Sequence, residues 1–293
     1  MDEKKITKYS YVKSVKVINY DDKRKIVVKK KKRYDILDIY HYLDDHGFNN
    51  YLRPLEIKEN DLYFDYLESL KLDKDEKAKR LMYVLSLLEN KTTTYKELDK
   101  DKIKEEYDTY KERIIYLENY YYTLQDVVES KVYMAPSEYL FIRNSSIIYQ
   151  ALNYAKHVLE KWYSLVKEKK TERLVYCHGK LELDHFLVTN NDEGYLISLE
   201  NAHLGAVSED FISFYHKNYQ DTDMRSNFRF YQHKYQYKEE EMLYLIINLV
   251  IPEKIDIYPS SLDKCGELVT FFDKLKLTSD FVSYNQENHQ HNK

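Results

Sequence analysis

The chain is poor in the residues that cross-link proteins and punctuate their elements. Its 293 residues include 5 glycines, 4 prolines, 2 cysteines and 1 tryptophan. Cys177 and Cys265 cannot make a disulfide framework, and neither sits in a C-x-x-C pair, so the disulfide-rich secreted class is excluded and a reducing compartment is implied. The first glycine is Gly47. Nothing before it can form a glycine-rich loop, which needs residues that let backbone amides approach an anion. No run approaches the ~20 apolar residues that span a bilayer, and the first ten residues, MDEKKITKYS, lack the apolar core of a signal peptide. A net charge of −4 and a pI near 6.2 exert no pull toward nucleic acid or anionic lipid. The expectation is a soluble, cytoplasmic protein with neither nucleic acid nor membrane as partner, its ligand being an unidentified protein or small molecule.

What is abundant is tyrosine, with 32 residues. Tyr, Lys, Asn and Ile share A/T-rich codons, so genome composition explains this without a functional tyrosine surface. The length suffices for one large domain or two lobes with a substantial core.

Residues 9–32 read as two or three strands, with SVKVINY (Ser14–Tyr20) and KIVVKKKKR (Lys25–Arg33) either side of an Asp21-Asp22 turn. Asp35 opens an amphipathic helix that stops at His46-Gly47. Arg53–Ile57 and Leu62–Leu67 predict a further strand pair. From Leu72 to Lys170 the pattern is helical: one helix over Asp73–Glu89, and a long one over Tyr95–Lys131 with apolar residues spaced in fours and threes. Ser137, after the break at Pro136, is placed to cap a partner helix carrying Ile148, Leu152, Ala155, Leu159, Trp162 and Val166. The two predict an antiparallel helical hairpin. Ser208–Tyr215 starts another helix, Asn227–Tyr237 shows no clear period, Glu239–Val250 is a strongly apolar helix ended by Pro252, and Leu262–Leu277 forms the last. The polar tail with His289 and His291 predicts disorder rather than a metal site. The basic run Lys29–Arg33 is short in an acidic chain and reads as a solvated strand end.

The stretch from Val175 to Tyr215 carries the chemistry: His178-Gly179-Lys180, His185 five residues on, the strand YLIS with Ser198 and Glu200 at its end, and Asp210 opening FISFY. This outline resembles the catalytic core of the aminoglycoside phosphotransferase and choline kinase group, including spore-coat-type kinase-like proteins. The pattern there is H-G-D-x-x-x-x-N, an apolar strand ending in Asp, and a downstream Asp opening a helix. The preceding run SEYLFIRNSSIIYQALNYAKHVLEKW also looks like the helix before that loop in the spore-coat type. The resemblance implies an α+β, two-lobed protein-kinase-like fold: a small β-rich lobe over residues 1–68, a large helical lobe over 69–285 and a polar tail over 286–293. It implies that His178, Gly179 and Asp210 are structural elements of the loop, and that Lys29 or Lys30 holds nucleotide phosphates. The helix after that lysine would supply a glutamate, but contains Asp35 and Asp38 instead.

Three positions depart from the pattern. Lys180 stands where the catalytic aspartate belongs, and a base must accept a proton. His185 stands where a metal-binding asparagine belongs, although magnesium prefers oxygen ligands. Ser198 stands where the main metal-binding aspartate belongs, and a neutral hydroxyl does not replace its charge. The expectation is therefore a pseudokinase acting as a binding or scaffold protein, with no cofactor, and with spore association implied by the resemblance. One alternative is an active small-molecule phosphotransferase using ATP and magnesium, with a metal site rearranged onto Glu200 and Asp184. Glu200, two residues beyond Ser198, would then share its side of an extended strand. The other alternative is a helical protein-interaction module. His178 and His185 without a third ligand do not make a zinc site.

Overall fold

The computed structural model describes residues 6–12 and 15–291. Residues 1–5, Ser14 of the second predicted strand, and the side chains of His289 and His291 lie outside the described residues. Strands β1 (Ile6–Val12), β2 (Val15–Tyr20) and β3 (Lys25–Lys30) run antiparallel. Helix α1 (Ile36–Asp45) buries Ile36, Ile39, Tyr40 and Leu43, and Gly47 turns the chain away with φ +67°. Strands β4 (Glu56–Lys58) and β5 (Asp61–Asp65) complete a sheet of order β1-β2-β3-β5-β4. Pairing of β4 starts later than Arg53 because Pro54 has no N–H to donate. A purely helical module does not stand against this sheet.

The larger lobe begins with α2 (Lys74–Thr92), capped by the Asp73 carboxylate, which accepts the Asp75 N–H at 3.0 Å. The predicted helix over Tyr95–Lys131 is divided. Thr94–Glu97 form strand β6, and α3 starts anew at Lys100–Glu129, where Asp99 accepts the N–H groups of Asp101 and Lys102 at 3.1 and 3.0 Å. The β-branched run Thr92-Thr93-Thr94 favours that break. Helix α4 (Pro136–Val166) packs antiparallel to α3, as the stripes predict, with Tyr107 stacked on Tyr163 and Lys156 bonded to Glu118. Ser137 is not the cap. Ala135 occupies that place, its N–H bonded to Glu138 at 2.8 Å, while the buried Ser137 hydroxyl donates to the Ile257 carbonyl at 2.9 Å.

Strand β7 (Thr171–Cys177) then leads into the 178–185 loop. The short pair β8 (Phe186–Val188) and β9 (Gly194–Leu196) follows, then β10 (His203–Ala206), which joins a second sheet of order β10-β7-β6. Helices α5 (Glu209–Asn218), α6 (Met224–Lys234), α7 (Glu239–Val250) and α8 (Leu262–His291) finish the fold. Helix α6 fills the stretch read as aperiodic: Asp223 caps it, and Met224, Phe228 and Tyr231 lie on its buried side. Helix α8 continues past Leu277 because Thr278, Phe281, Val282 and Asn285 extend its buried face, and it runs through the predicted polar tail to His291. Among the described residues no helix is long and apolar enough to cross a membrane.

Candidate functional site

The two lobes meet where β3 and the start of α1 face the segments after β7 and β9. Backbone bonds from Leu52 N–H to the Leu196 carbonyl (3.0 Å) and from Leu196 N–H to the Asn50 carbonyl (2.8 Å) fix the small lobe against β9. The Arg33 guanidinium bonds the Ala202 carbonyl at 2.8 Å while pairing with Asp35. Sequence reasoning left Arg33 as part of a solvated strand end; the tertiary contact is its role.

The 178–185 loop is anchored from beneath. Asp210 is fully buried at the head of α5, and its two carboxylate oxygens accept the His178 N–H at 2.6 Å and the Gly179 N–H at 2.9 Å. Burial raises its pKa to about 6 even against those two donors. The buried His178 ring has Nε2 2.9 Å from the Ile197 carbonyl and Nδ1 3.3 Å from the Lys180 N–H. Those partners require a neutral ring protonated on Nε2, and burial accordingly drives its pKa down to about 4. Asp210 thus ties the backbone at His178 and Gly179, and the His178 ring bridges Ile197 and Lys180.

The loop's reactive positions point elsewhere. Lys180 is half exposed, with its ammonium 3.7 Å from Glu182. His185 directs Nδ1 to the Lys180 carbonyl at 2.9 Å and its ring lies 5.7 Å from that of His178. Ser198 holds a left-handed backbone conformation, φ 68° and ψ 50°, at the entry to a short 3₁₀ turn, Leu199–Asn201. Glu200 therefore does not share an extended strand face with Ser198, and that expectation is corrected: the left-handed residue and the turn break the period-2 alternation.

Lys29 and Lys30 part company because adjacent strand residues face opposite ways. Lys29, paired in register with Leu62, sends its ammonium 2.6 Å from the Ser198 hydroxyl. Lys30, paired with Asp61, forms a 2.8 Å ion pair with it at a largely exposed position. Burial lowers the Lys29 pKa, Glu200 opposes that shift, and Lys32 adds to it. The acid near Lys29 is thus Glu200 from the large lobe, not a glutamate on α1, which has none. Together with Lys16, Lys29, Lys30, Lys32 and Asp61, Glu200 lines a cleft of about 520 Å³ along β2, β3 and β5.

These residues do not fit a magnesium ion. Ser198 is neutral and faces an ammonium, and the Glu200 charge acts on that same lysine. Asp184 is exposed on the 183–185 turn. Among the described residues no three His, Cys, Asp or Glu side chains gather into a metal-holding group. The cleft presents four lysines together with Asp61 and Glu200.

Below the loop lies a polar group that sequence reasoning missed. Glu89 of α2 is completely buried; one oxygen accepts the Tyr231 hydroxyl, and Oε1 has no hydrogen-bond partner among the described residues. Burial raises its pKa well above the ordinary carboxylate value. An acid whose pKa is raised on folding stabilises the native state below its unfolded pKa, and that stability is lost as pH climbs through the folded pKa. Glu89→Gln is therefore expected to gain on the wild type as pH rises above the ordinary carboxylate range, measured by denaturant unfolding from pH 5 to pH 8. A constant difference across that range would show that Glu89 folds as an anion.

No protein-family model and no curated protein matches the sequence. The fold does have solved counterparts. An aminoglycoside phosphotransferase from Alicyclobacillus acidocaldarius superposes with a TM-score of 0.71 at 11% identity, covering 98% of this chain and 93% of that one. The AMP-bound spectinomycin phosphotransferase APH(9)-Ia gives a TM-score of 0.55 at 15% identity, covering 93% of each chain. The same enzyme with ADP and spectinomycin gives 0.51 at 12% identity, over 96% of this chain and 94% of that one. The protein has the two-lobed, kinase-like fold of the aminoglycoside phosphotransferases.

Proposed function

We propose that this protein is a pseudokinase: it binds a phosphate-bearing ligand in the lysine-lined cleft without a divalent metal, and does not transfer phosphoryl groups. The observation that carries the reading is the 2.6 Å contact between Lys29 Nζ and Ser198 Oγ. In phosphoryl transfer a metal ion neutralises the charge developing on the phosphoryl oxygens, and carboxylate and amide oxygens hold it there. Here the corresponding positions carry a hydroxyl and an imidazole, and the position of the base carries an ammonium. The lysines supply positive charge enough to hold an anion, which fits binding and not turnover.

A thermal-shift titration tests this. ATP in the presence of a chelator is expected to raise the melting temperature, by about 4 °C at a hundredfold excess over Kd for a chain of this length. Adding magnesium or manganese should leave the shift unchanged. Stabilisation that appears only with metal would overturn the reading. The triple variant Lys180→Asp, His185→Asn, Ser198→Asp should convert the response to a metal-dependent one.

A further inference from the structure

We propose that Ser198 and Lys29 form a nucleophile–base pair that accepts an acyl group from a mixed acyl–phosphate anhydride held in the lysine-lined cleft. The proposal rests on the anion-binding reading above. Four observations support it. Ser198 Oγ and Lys29 Nζ are 2.6 Å apart, the reach at which a lysine can take a serine proton. Ser198 is partly exposed, beside the cleft that Lys29 and Glu200 line. Its backbone is left-handed, a conformation that costs energy for a residue with a Cβ and persists only where the surroundings enforce it. The enforcement is visible: Leu196 and Leu199 on either side are buried, and Leu196 is bonded through both its N–H and its carbonyl to the small lobe. Burial also favours the neutral amine at Lys29, the form that a general base requires.

The step balances without a metal. Ser198 Oγ attacks the carbonyl carbon and its proton passes to Lys29 Nζ. The bond from that carbon to the bridging phosphate oxygen breaks, and the phosphate departs with the electron pair, taking the serine proton on from Lys29 Nζ so that it leaves as hydrogen phosphate. The products are a Ser198 ester, the Lys29 amine restored beside Glu200, and hydrogen phosphate facing Lys16, Lys30 and Lys32. Attack at carbon rather than phosphorus follows from the charge available. The phosphoryl route spreads negative charge over three equatorial oxygens and relies on metal ions, whereas the acyl route expels a phosphate that the lysines already bind.

Acetyl phosphate is a suitable probe. Peptide mapping by mass spectrometry should find one acetyl group on Ser198, and hydroxylamine should remove it, since esters are cleaved while adventitious acetyl-lysine amides survive. Ser198→Ala should abolish this signal. Lys29→Arg places a guanidinium that cannot serve as the base in the same position, so it should lose esterification by about a hundredfold or more when compared with wild type at acetyl phosphate concentrations that saturate each protein. Glu200→Gln, which removes the carboxylate favouring the ammonium, should esterify several-fold faster than the wild type. Wild-type protein that binds ATP without metal but forms no Ser198 ester overturns the proposal, as does Lys29→Arg esterifying at the wild-type rate. Failure of wild-type protein to bind ATP without metal overturns the anion-binding reading instead.

Discussion

Gly179→Ala is expected to destabilise the protein by about 3–4 kcal/mol, combining the left-handed backbone cost with overpacking. Gly179 sits at φ +75°, a conformation L side chains rarely adopt, and an added Cβ would lie 2.2 Å from the Asn201 carbonyl oxygen and 2.8 Å from its carbon. Both obstacles are backbone, so no side chain can swing aside. Relief requires the 178–185 loop to lift or the Leu199–Asn201 turn to retreat, and that turn carries Glu200 and follows Ser198 directly. The expected companion effect is a loss of metal-free ATP binding in the thermal-shift assay, because the cleft is displaced along with the turn. Denaturant unfolding measures the first effect. A loss below about 1 kcal/mol would show that the turn yields without strain, since such close contacts normally cost more.

Asp210→Ala should cost about 3–5 kcal/mol, because truncating one partner of a buried charged network strands the groups it served. The stranded groups are the N–H donors of the buried His178 and the half-buried Gly179. Asp210→Asn keeps one acceptor but turns an amide N–H₂ toward the second donor, so an intermediate loss is expected. The pH dependence separates these. Asp210 titrates at about 6 in the folded protein against an ordinary value of 3.8. The native state therefore holds that proton more tightly, and its contribution to stability falls as pH rises from about 4 to about 6 and levels off above. Asp210→Asn should lose that segment of the profile. An unchanged profile between pH 4 and pH 6 would mean that the two N–H donors outweigh burial.

How far the site was legible differs residue by residue. The resemblance singled out His178, Gly179 and Asp210 as residues, while the positive φ of Gly179 and the two N–H groups that Asp210 accepts came from the tertiary structure. Lys29 and Lys30 could not be told apart. Their difference is one of strand register, with Lys29 opposite Leu62 and Lys30 opposite Asp61, and register depends on a partner strand some thirty residues away. Helix α6 was legible in principle, since Met224, Phe228 and Tyr231 follow a four-then-three spacing, but charged and amide residues between them hid it. Strand β6 was not. Its four residues include a single β-branched one, Thr94, and pairing with β7 completes the extended conformation of Thr94–Glu97. Glu89 looks like any helix glutamate until α6 covers it.

By itself the sequence determined the small sheet-bearing lobe before the helical one, most of the long helices, and the absence of carboxylates at Lys180 and Ser198. Each of these follows from local spacing or from residue chemistry at a motif position. Tertiary structure alone decided that Lys29 rather than Lys30 reaches the large lobe, that Ser198 is its hydrogen-bond partner, and that Glu200 rather than an α1 acid is its counter-charge. The physical reason is distance along the chain. Lys29 and Ser198 are separated by 169 residues, and their meeting is set by strand register and lobe packing, which no local period encodes.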